Sequence, residues 1–548
     1  MYAASLDAAG SVGGRATSGA LGRLQGMPNT PGNVPDVSVI VAVYNTMPYL
    51  TDCLTSLVSQ TIGTGRIEIV AVDDGSTDGG DKELQRFAEL HPGVLTVVRQ
   101  ENSGGPAAPS NRALDLARGR YVFFVGADDC LGTEALERMV DAADRLGSDV
   151  VLGRMVGVNG RWVSKAVFAE SRDEVTLYDS ALPWALSNTK LFRRELIERH
   201  GLRFSEELPV LSDQPFTLEA CFRAGRITVL ADYDYYFAVR RDDATNATVS
   251  YRALDRLRGT RQLFELTRRL SEPGRGREWI HQRHFTWEVA RLIGAEFLEL
   301  DAEVQRAVCD GVGALHAEYA SDYALRKLSV DQVLLLRLAE KGELDAMIAV
   351  LECLRDGGPA VVVDGERAYA GHPCFRAGEL ALPDAWFDIT GQTRKRFAEQ
   401  DLGPVQTGVV DGRLHLEARS SLPDLAALGV VRAEAILERA GERVARSYSA
   451  EVTADGDGSL VRTGIPLADL FPAKRTPWER CTVRLTAAAL GESLPVLFAD
   501  VPGDAAGARP QRHRMRAYGI GLATSEGAAE LHIDVLLLPL PQLLRTWA

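Results

Sequence analysis

No run of 18 consecutive apolar residues occurs in the chain, so no membrane-spanning helix is encoded. Cysteine is sparse and scattered: Cys53, Cys130, Cys221, Cys309, Cys353, Cys374 and Cys481 are odd in number and form no CxxC pair. The expectation is reduced, mostly structural thiols in a cytosolic protein. Basic residues are outnumbered, 61 against 75 acidic, for a net charge of −14. Nucleic-acid binding needs a dense basic face, so no nucleic-acid partner is expected. Two nucleotide signatures are also missing. The first strand is not followed by GxGxxG, which would mark a dinucleotide cofactor, and GxxxxGK[ST] is absent. Residues 1–36 are rich in Gly, Ala and Ser without the charged and apolar regions of a signal peptide, and read as a disordered leader.

What is present suits a globular protein of two to four domains: 548 residues, 46% hydrophobic and 25% charged. From Val37 the runs VSVIVAVYN, IEIVAVDD, LTVVRQEN and VFFVGADD read as buried strands, separated by segments of helical period and the loop SGGPAAPS. Their connections are too long for hairpins, which predicts a doubly wound, mostly parallel α/β sheet. Tyr44, Asn45, Asp73, Asp74, Asn102, Asp128 and Asp129 would then share its carboxyl edge, where such folds bind ligands.

VFFVGADD, residues 122–129, ends in two adjacent carboxylates, which are costly unless something positive sits on them. A magnesium or manganese ion with a nucleotide diphosphate would serve; an Asp-Asp turn or helix cap is the structural alternative. Phosphate could also be cradled by the loop Ser103 to Pro106, through the backbone amides of its serine and glycines. Asp213 precedes an amphipathic segment, where a helix cap is the commonest role. His281 and His284 lack further ligands at zinc spacing and read as packing or surface residues. Residues 251–374 are mostly of helical period, and beyond 375 short alternating strands predict one or two β-sandwich modules. These modules are expected to bind polymer or to join copies of the chain in a homo-oligomer.

In order and spacing, VSVIVAVYN, AVDDGSTDG, ENSGGPAAPSNRALD, YVFFVGADD and SDQPFTLEA resemble the inverting family 2 glycosyltransferases of the GT-A fold, over residues 37–250. The GGPAAPSN loop and the helical and β regions that follow look more loosely like the bacterial enzymes that glycosylate wall teichoic acids. The resemblance implies metal-dependent transfer, with Mn2+ or Mg2+, from a UDP-sugar to a hydroxyl of a glycan, cell-wall polymer or polyol phosphate. Such an enzyme would sit in the cytoplasm or at the inner face of the membrane. By position, Ala42, Tyr44, Asp73, Asp74, Asn102, Pro109, Asn111 and Arg112 would line the donor pocket, and Asp128 with Asp129 would serve the metal. Asp213 would be the general base, and Arg240 or Arg241 with the loop to Ser250 would touch phosphate or cover the donor.

Two positions depart from that pattern: Gly126 stands where the family usually has an acid, and Ser110 where an arginine commonly precedes the loop asparagine. They leave a second reading open, a non-catalytic carbohydrate-binding or scaffold protein. A processive polysaccharide synthase is disfavoured because QxxRW and membrane helices are missing.

Overall fold

The computed structural model describes residues 34–241, 253–378 and 380–399, and beyond them most of the strands and short helices between 401 and 537. The chain divides into two compact units, Met1–Gly276 and Arg277–Ala548. The division falls inside the stretch 251–374 expected to be one helical region, because the helix Ala253–Leu270 belongs to the first unit.

In the first unit β1 (Val37–Val43), β2 (Ile67–Asp73) and β4 (Tyr121–Gly126) are buried almost throughout. Uninterrupted β-branched and aromatic runs suit strands covered on both faces. With β3 (Leu95–Arg99) they form the order β3-β2-β1-β4, with all neighbours parallel. The register puts Ala42 opposite both Val72 and Gly126, so the three central strands end level. Because the chain winds outward from β1 to β3 and then returns to β4 on the other side, the β1/β4 border is the switch point where a ligand crevice opens.

Helix α1 (Tyr49–Val58) buries Leu50, Cys53, Leu54 and Leu57, one stripe of the helical period. α2 (Gly80–Leu90) follows β2, and α3 spans Ala107–Leu116. The latter begins inside the stretch expected to be loop; Pro109 is its third residue, where a missing N–H costs no helical bond.

A two-residue β5 (Cys130–Leu131) follows the acid pair, and α4 (Ala135–Leu146) leads to β6 (Val150–Gly153) and β7 (Met155–Val158). Strands β8 (Arg172–Val175) and β9 (Leu191–Arg193) precede α5 (Arg194–His200), and α6 (Asp213–Arg223) is followed by β10 (Ile227–Leu230) and β11 (Tyr236–Val239). The main sheet continues β4-β9-β6-β10-β8, with β9 antiparallel to both its neighbours. A small second sheet, β5-β11-β7, pairs Phe237 with Cys130 and so lays β11 beside the acid pair.

Three aromatic rings join these layers. Phe204 and Phe216 stack at 4.3 Å, and Phe124 of β4 meets them edge-on at 5.1 and 5.5 Å. Phe216 follows Asp213 by three residues and Phe124 precedes Asp128 by four, so one apolar cluster fixes the elements that carry both.

The second unit begins with helices and continues into β structure. Ala302–Tyr319 packs on Val330–Glu340 so closely that a side chain at Gly313 would stand 2.3 Å from the Ala339 carbonyl oxygen. His281 and His284 are buried with centroids 6.3 Å apart, and among the described residues no group of three potential ligands could hold a metal. A hairpin, Ala360–Asp364 with Arg367–Gly371, lies within the region read as helical. The C-terminal strands pair mostly antiparallel: Glu442–Asp455 pairs first with Val430–Arg439 and then with Gly458–Pro466. No described helix is long and apolar enough to cross a membrane.

Candidate active site

The loops at the carboxyl edge are held mainly by one another. Asn45 adopts a left-handed φ of 50°, which asparagine tolerates better than most residues. Its side-chain oxygen accepts the Thr77 amide at 2.8 Å, and its own amide donates to the Ser76 hydroxyl at 3.1 Å. Asp73 is fully buried; its carboxylate accepts the Ser76 amide at 2.9 Å and lies 3.2 Å from Arg99 Nε. Asp74 accepts from Gln100 Nε2 at 2.6 Å and from both the amide and the hydroxyl of Ser103, at 3.1 and 3.0 Å. Asn102 donates to the Asp74 carbonyl at 3.1 Å. Asp74 is thus the tie between β2 and the Ser103–Pro106 loop. Gly75 must lack a side chain here, since its φ is +82° and a Cβ would meet the Asn102 nitrogen at 3.0 Å.

The other residues expected in a donor pocket sort by exposure. Tyr44 is 48% exposed, leaving its ring available as a platform for a nucleobase. Ala42 lies half-buried at the switch point, and Pro109 is buried in α3. Arg112 donates to the Arg99 carbonyl and to Gln100 Oε1, both at 3.3 Å, which turns it toward the end of β3. Asn111 faces elsewhere: its amide donates to the Phe204 carbonyl and Glu206, both at 2.9 Å, and its oxygen accepts the Phe204 amide at 2.9 Å. A buried amide with all these bonds made is a clamp on residues 204–206. That clamp brings Glu206, Leu208 and Pro209 over Ser103 and Gly105, forming a recess of about 120 Å³ beside the start of α3. Ser110, in place of an arginine, is buried.

The acid pair is divided in its bonding. Asp129 accepts the Tyr236 hydroxyl at 2.6 Å and the Val239 amide at 2.7 Å, one on each oxygen. Burial and then the charge on Asp128 push its carboxyl up to about 7. Tyr236 is itself pushed well upward by burial and by Asp129, so it stays a hydroxyl and a donor. Its oxygen also accepts the Gly126 amide at 3.0 Å. Asp128 is paired instead with Arg241, whose Nε lies 2.8 Å from Oδ2. Arg241 reaches further, donating from Nη1 to the Asn45 carbonyl at 3.2 Å. Arg240 continues β11, its amide donating to the Val158 carbonyl at 3.2 Å. The loop from residue 242 to Ser250 lies outside the described residues.

Asp213 is the first residue of α6, with Ser212 at the cap position and no side-chain cap bond from it. Leu211, just before, has φ 62° and packs against Gly259. Lys190 escaped the sequence reading. Its side chain is buried, its ammonium donates to the Ser187 carbonyl at 2.5 Å, and burial pulls it down to about 8 against the opposing effects of Cys221 and Asp213. Nothing in SNTKLFRR marks that lysine as interior, since lysine is seldom buried. Tyr236 escaped for a similar reason, sitting in an aromatic run whose bonding partner is 107 positions away.

In this donor set Asp128 is the residue that would take a divalent cation. Magnesium and manganese commonly take one or two protein carboxylates and complete their shell with phosphate and water. Both oxygens of Asp129 are committed to β11, which leaves Asp128 as the acid of the pair that would meet a cation.

Residues 38–201 match the family model described as Glycosyl transferase family 2. The poly(ribitol-phosphate) beta-glucosyltransferase of Bacillus spizizenii is 40% identical over 206 residues, 38% of this chain and 32% of that protein. The poly(ribitol-phosphate) beta-N-acetylglucosaminyltransferase TarS of Staphylococcus aureus is 42% identical over 207 residues, 37% of this chain and 36% of that protein. The chain therefore matches about a third of the length of these curated relatives. Among solved structures, S. aureus TarS 1-349 in complex with UDP-GlcNAc is similar at a TM-score of 0.54 and 30% identity, covering 62% of this chain and 98% of that one. The fuller S. aureus TarS structure shares the fold at a TM-score of 0.57 and 23% identity, over 92% of this chain and 86% of that one.

Proposed function

We propose that this chain, whose residues 38–201 belong to glycosyl transferase family 2, transfers a sugar with inversion from a UDP-sugar to a hydroxyl of a polyol-phosphate type cell-wall polymer. One observation carries the reading: the level ends of β1, β2 and β4 gather an exposed aromatic ring, a tied loop of backbone amides and an acid pair at one switch point. The UDP-GlcNAc complex of the S. aureus fragment supports the donor class, and the names of the two curated relatives support the acceptor class.

In the proposed reaction an acceptor hydroxyl gives its proton to Asp213 as its oxygen forms a bond to the anomeric carbon. The bond from that carbon to the diphosphate oxygen breaks, and its electron pair leaves with UDP. A single displacement inverts the configuration. Mn2+ or Mg2+, held by Asp128, would supply Lewis-acid stabilisation of the leaving diphosphate. Tyr44 would stack on the base, Ser103 to Gly105 would offer amides, and Arg241 would balance phosphate charge. Glu206 and Leu208 would border the acceptor side.

Thermal shift with UDP-, dTDP- and GDP-sugars in the presence of Mn2+ tests the donor, since only a ligand of the folded state raises the melting temperature. Transfer of radiolabelled sugar from the stabilising donor to poly(ribitol phosphate) tests the reaction. Stabilisation by no nucleotide-sugar would overturn the reading.

A further inference from the structure

Arg241 and Asp128 form an enclosed pair, their side chains 11% and 15% exposed, and Asp129 lies directly beside them. The same guanidinium also holds the Asn45 carbonyl, so one side chain bridges the acid and the loop after β1. We propose that Arg241 is an exchangeable counter-ion: it neutralises Asp128 before the donor binds, and gives the carboxylate up to the divalent cation when the diphosphate arrives. This deepens the donor reading above and rests on it.

Charge and geometry favour the exchange. With Arg241 in place Asp128 is already paired with an opposite charge, and a cation arriving alone would have to displace a charge-assisted bond and leave a guanidinium beside it. A nucleoside diphosphate changes that balance. It brings at least two negative charges, and its oxygens accept the planar donor set of an arginine as well as a carboxylate does. Asp128 then meets the cation while Arg241 meets phosphate, and no charge is left uncompensated. Arg241 thereby couples metal and nucleotide: each binds weakly without the other. The pairing with the Asn45 carbonyl limits the movement required, because Arg241 already spans from the acid toward the loop that carries Tyr44.

The test is Mn2+ affinity of the full chain, read from the paramagnetic resonance signal of free Mn2+, with and without UDP, for wild type, Arg241→Gln and Arg241→Lys. Wild type should bind Mn2+ roughly tenfold or more tighter when UDP is present. Arg241→Gln should bind Mn2+ without UDP roughly tenfold tighter than wild type, and UDP should improve it less. Arg241→Lys keeps the charge but cannot span both partners, so it should fall between the two, which keeps the test usable if the Gln variant folds poorly. Equal Mn2+ affinities of wild type and Arg241→Gln without UDP, in proteins that both bind UDP, would overturn the exchange and leave the donor reading standing. Failure of UDP to bind wild type under any condition would instead overturn the donor reading, and the exchange with it.

Discussion

The carboxylate of Asp129 occupies the space that a side chain at Gly126 would fill: a Cβ built on Gly126 stands 2.6 Å from Asp129 Oδ2 and 3.1 Å from Asp128 Oδ1. The glycine that departs from the family's usual acid is therefore matched by a second acid folded back onto it and locked by Tyr236.

Gly126→Ala should force Asp129 off Tyr236 and Val239. The expected cost is about 1–3 kcal/mol of stability, as for other overpacked sites. Because the clash is with the carboxylate, the cost should shrink when Asp129→Ser is added. Urea denaturation of the two single variants and the double variant measures this, and strict additivity would contradict the relationship.

Asp213→Asn should abolish sugar transfer and leave UDP binding within about twofold, since the amide keeps the shape but cannot take a proton. Single-turnover transfer beside calorimetric UDP titration separates the two. Undiminished turnover would remove Asp213 from the base role.

Phe216→Ala opens the stack that ties α6 to β4, and a buried Phe→Ala change typically costs about 3–5 kcal/mol. Where enough folded protein remains, kcat should fall more than donor affinity, because Phe216 sits next to the turn carrying Asp213 and away from the Asp74 tie. A loss confined to donor affinity would contradict this placement.

Lys190 gives a pH signature. Its ammonium is pulled from 10.5 to about 8 in the folded chain, so between those values the unfolded chain binds more protons. Stability from this group should therefore rise with pH across that window and be lowest below about 8. A shift of this size is worth on the order of 3 kcal/mol across the window. Lys190→Met should flatten that part of the curve. Unfolding free energies at pH 7.5, 9 and 10 would show it, and parallel curves would refute a buried ammonium.

Asp74→Ala should release Ser103 and Gln100, and with them the loop before α3. Faster proteolysis between residues 100 and 106 and roughly tenfold weaker UDP binding are expected, the latter equivalent to about 1.4 kcal/mol. Unchanged protease sensitivity would mean the loop is held elsewhere.

The sequence by itself determined the parallel sheet and its ligand edge. VSVIVAV, IEIVAVD and YVFFVG are apolar on both faces and end in polar residues, and such runs are stable only as covered strands whose ends meet solvent. Tyr44, Asp73, Asp74, Asp128 and Asp129 follow from those ends. The tertiary structure decided how the side chains around that edge are bonded. Asn111 looked like part of the donor pocket yet clamps residue 204, some 93 positions away. Asp129 stood beside Asp128 as a second acid for the metal, but β11 takes both its oxygens, while Arg241 pairs with Asp128. Lys190 carried no mark in the sequence and is interior. Strand periodicity is local and is written in adjacent residues. The partner of a hydrogen bond or a buried charge is chosen only when distant segments pack, so neighbouring residues carry no mark of it.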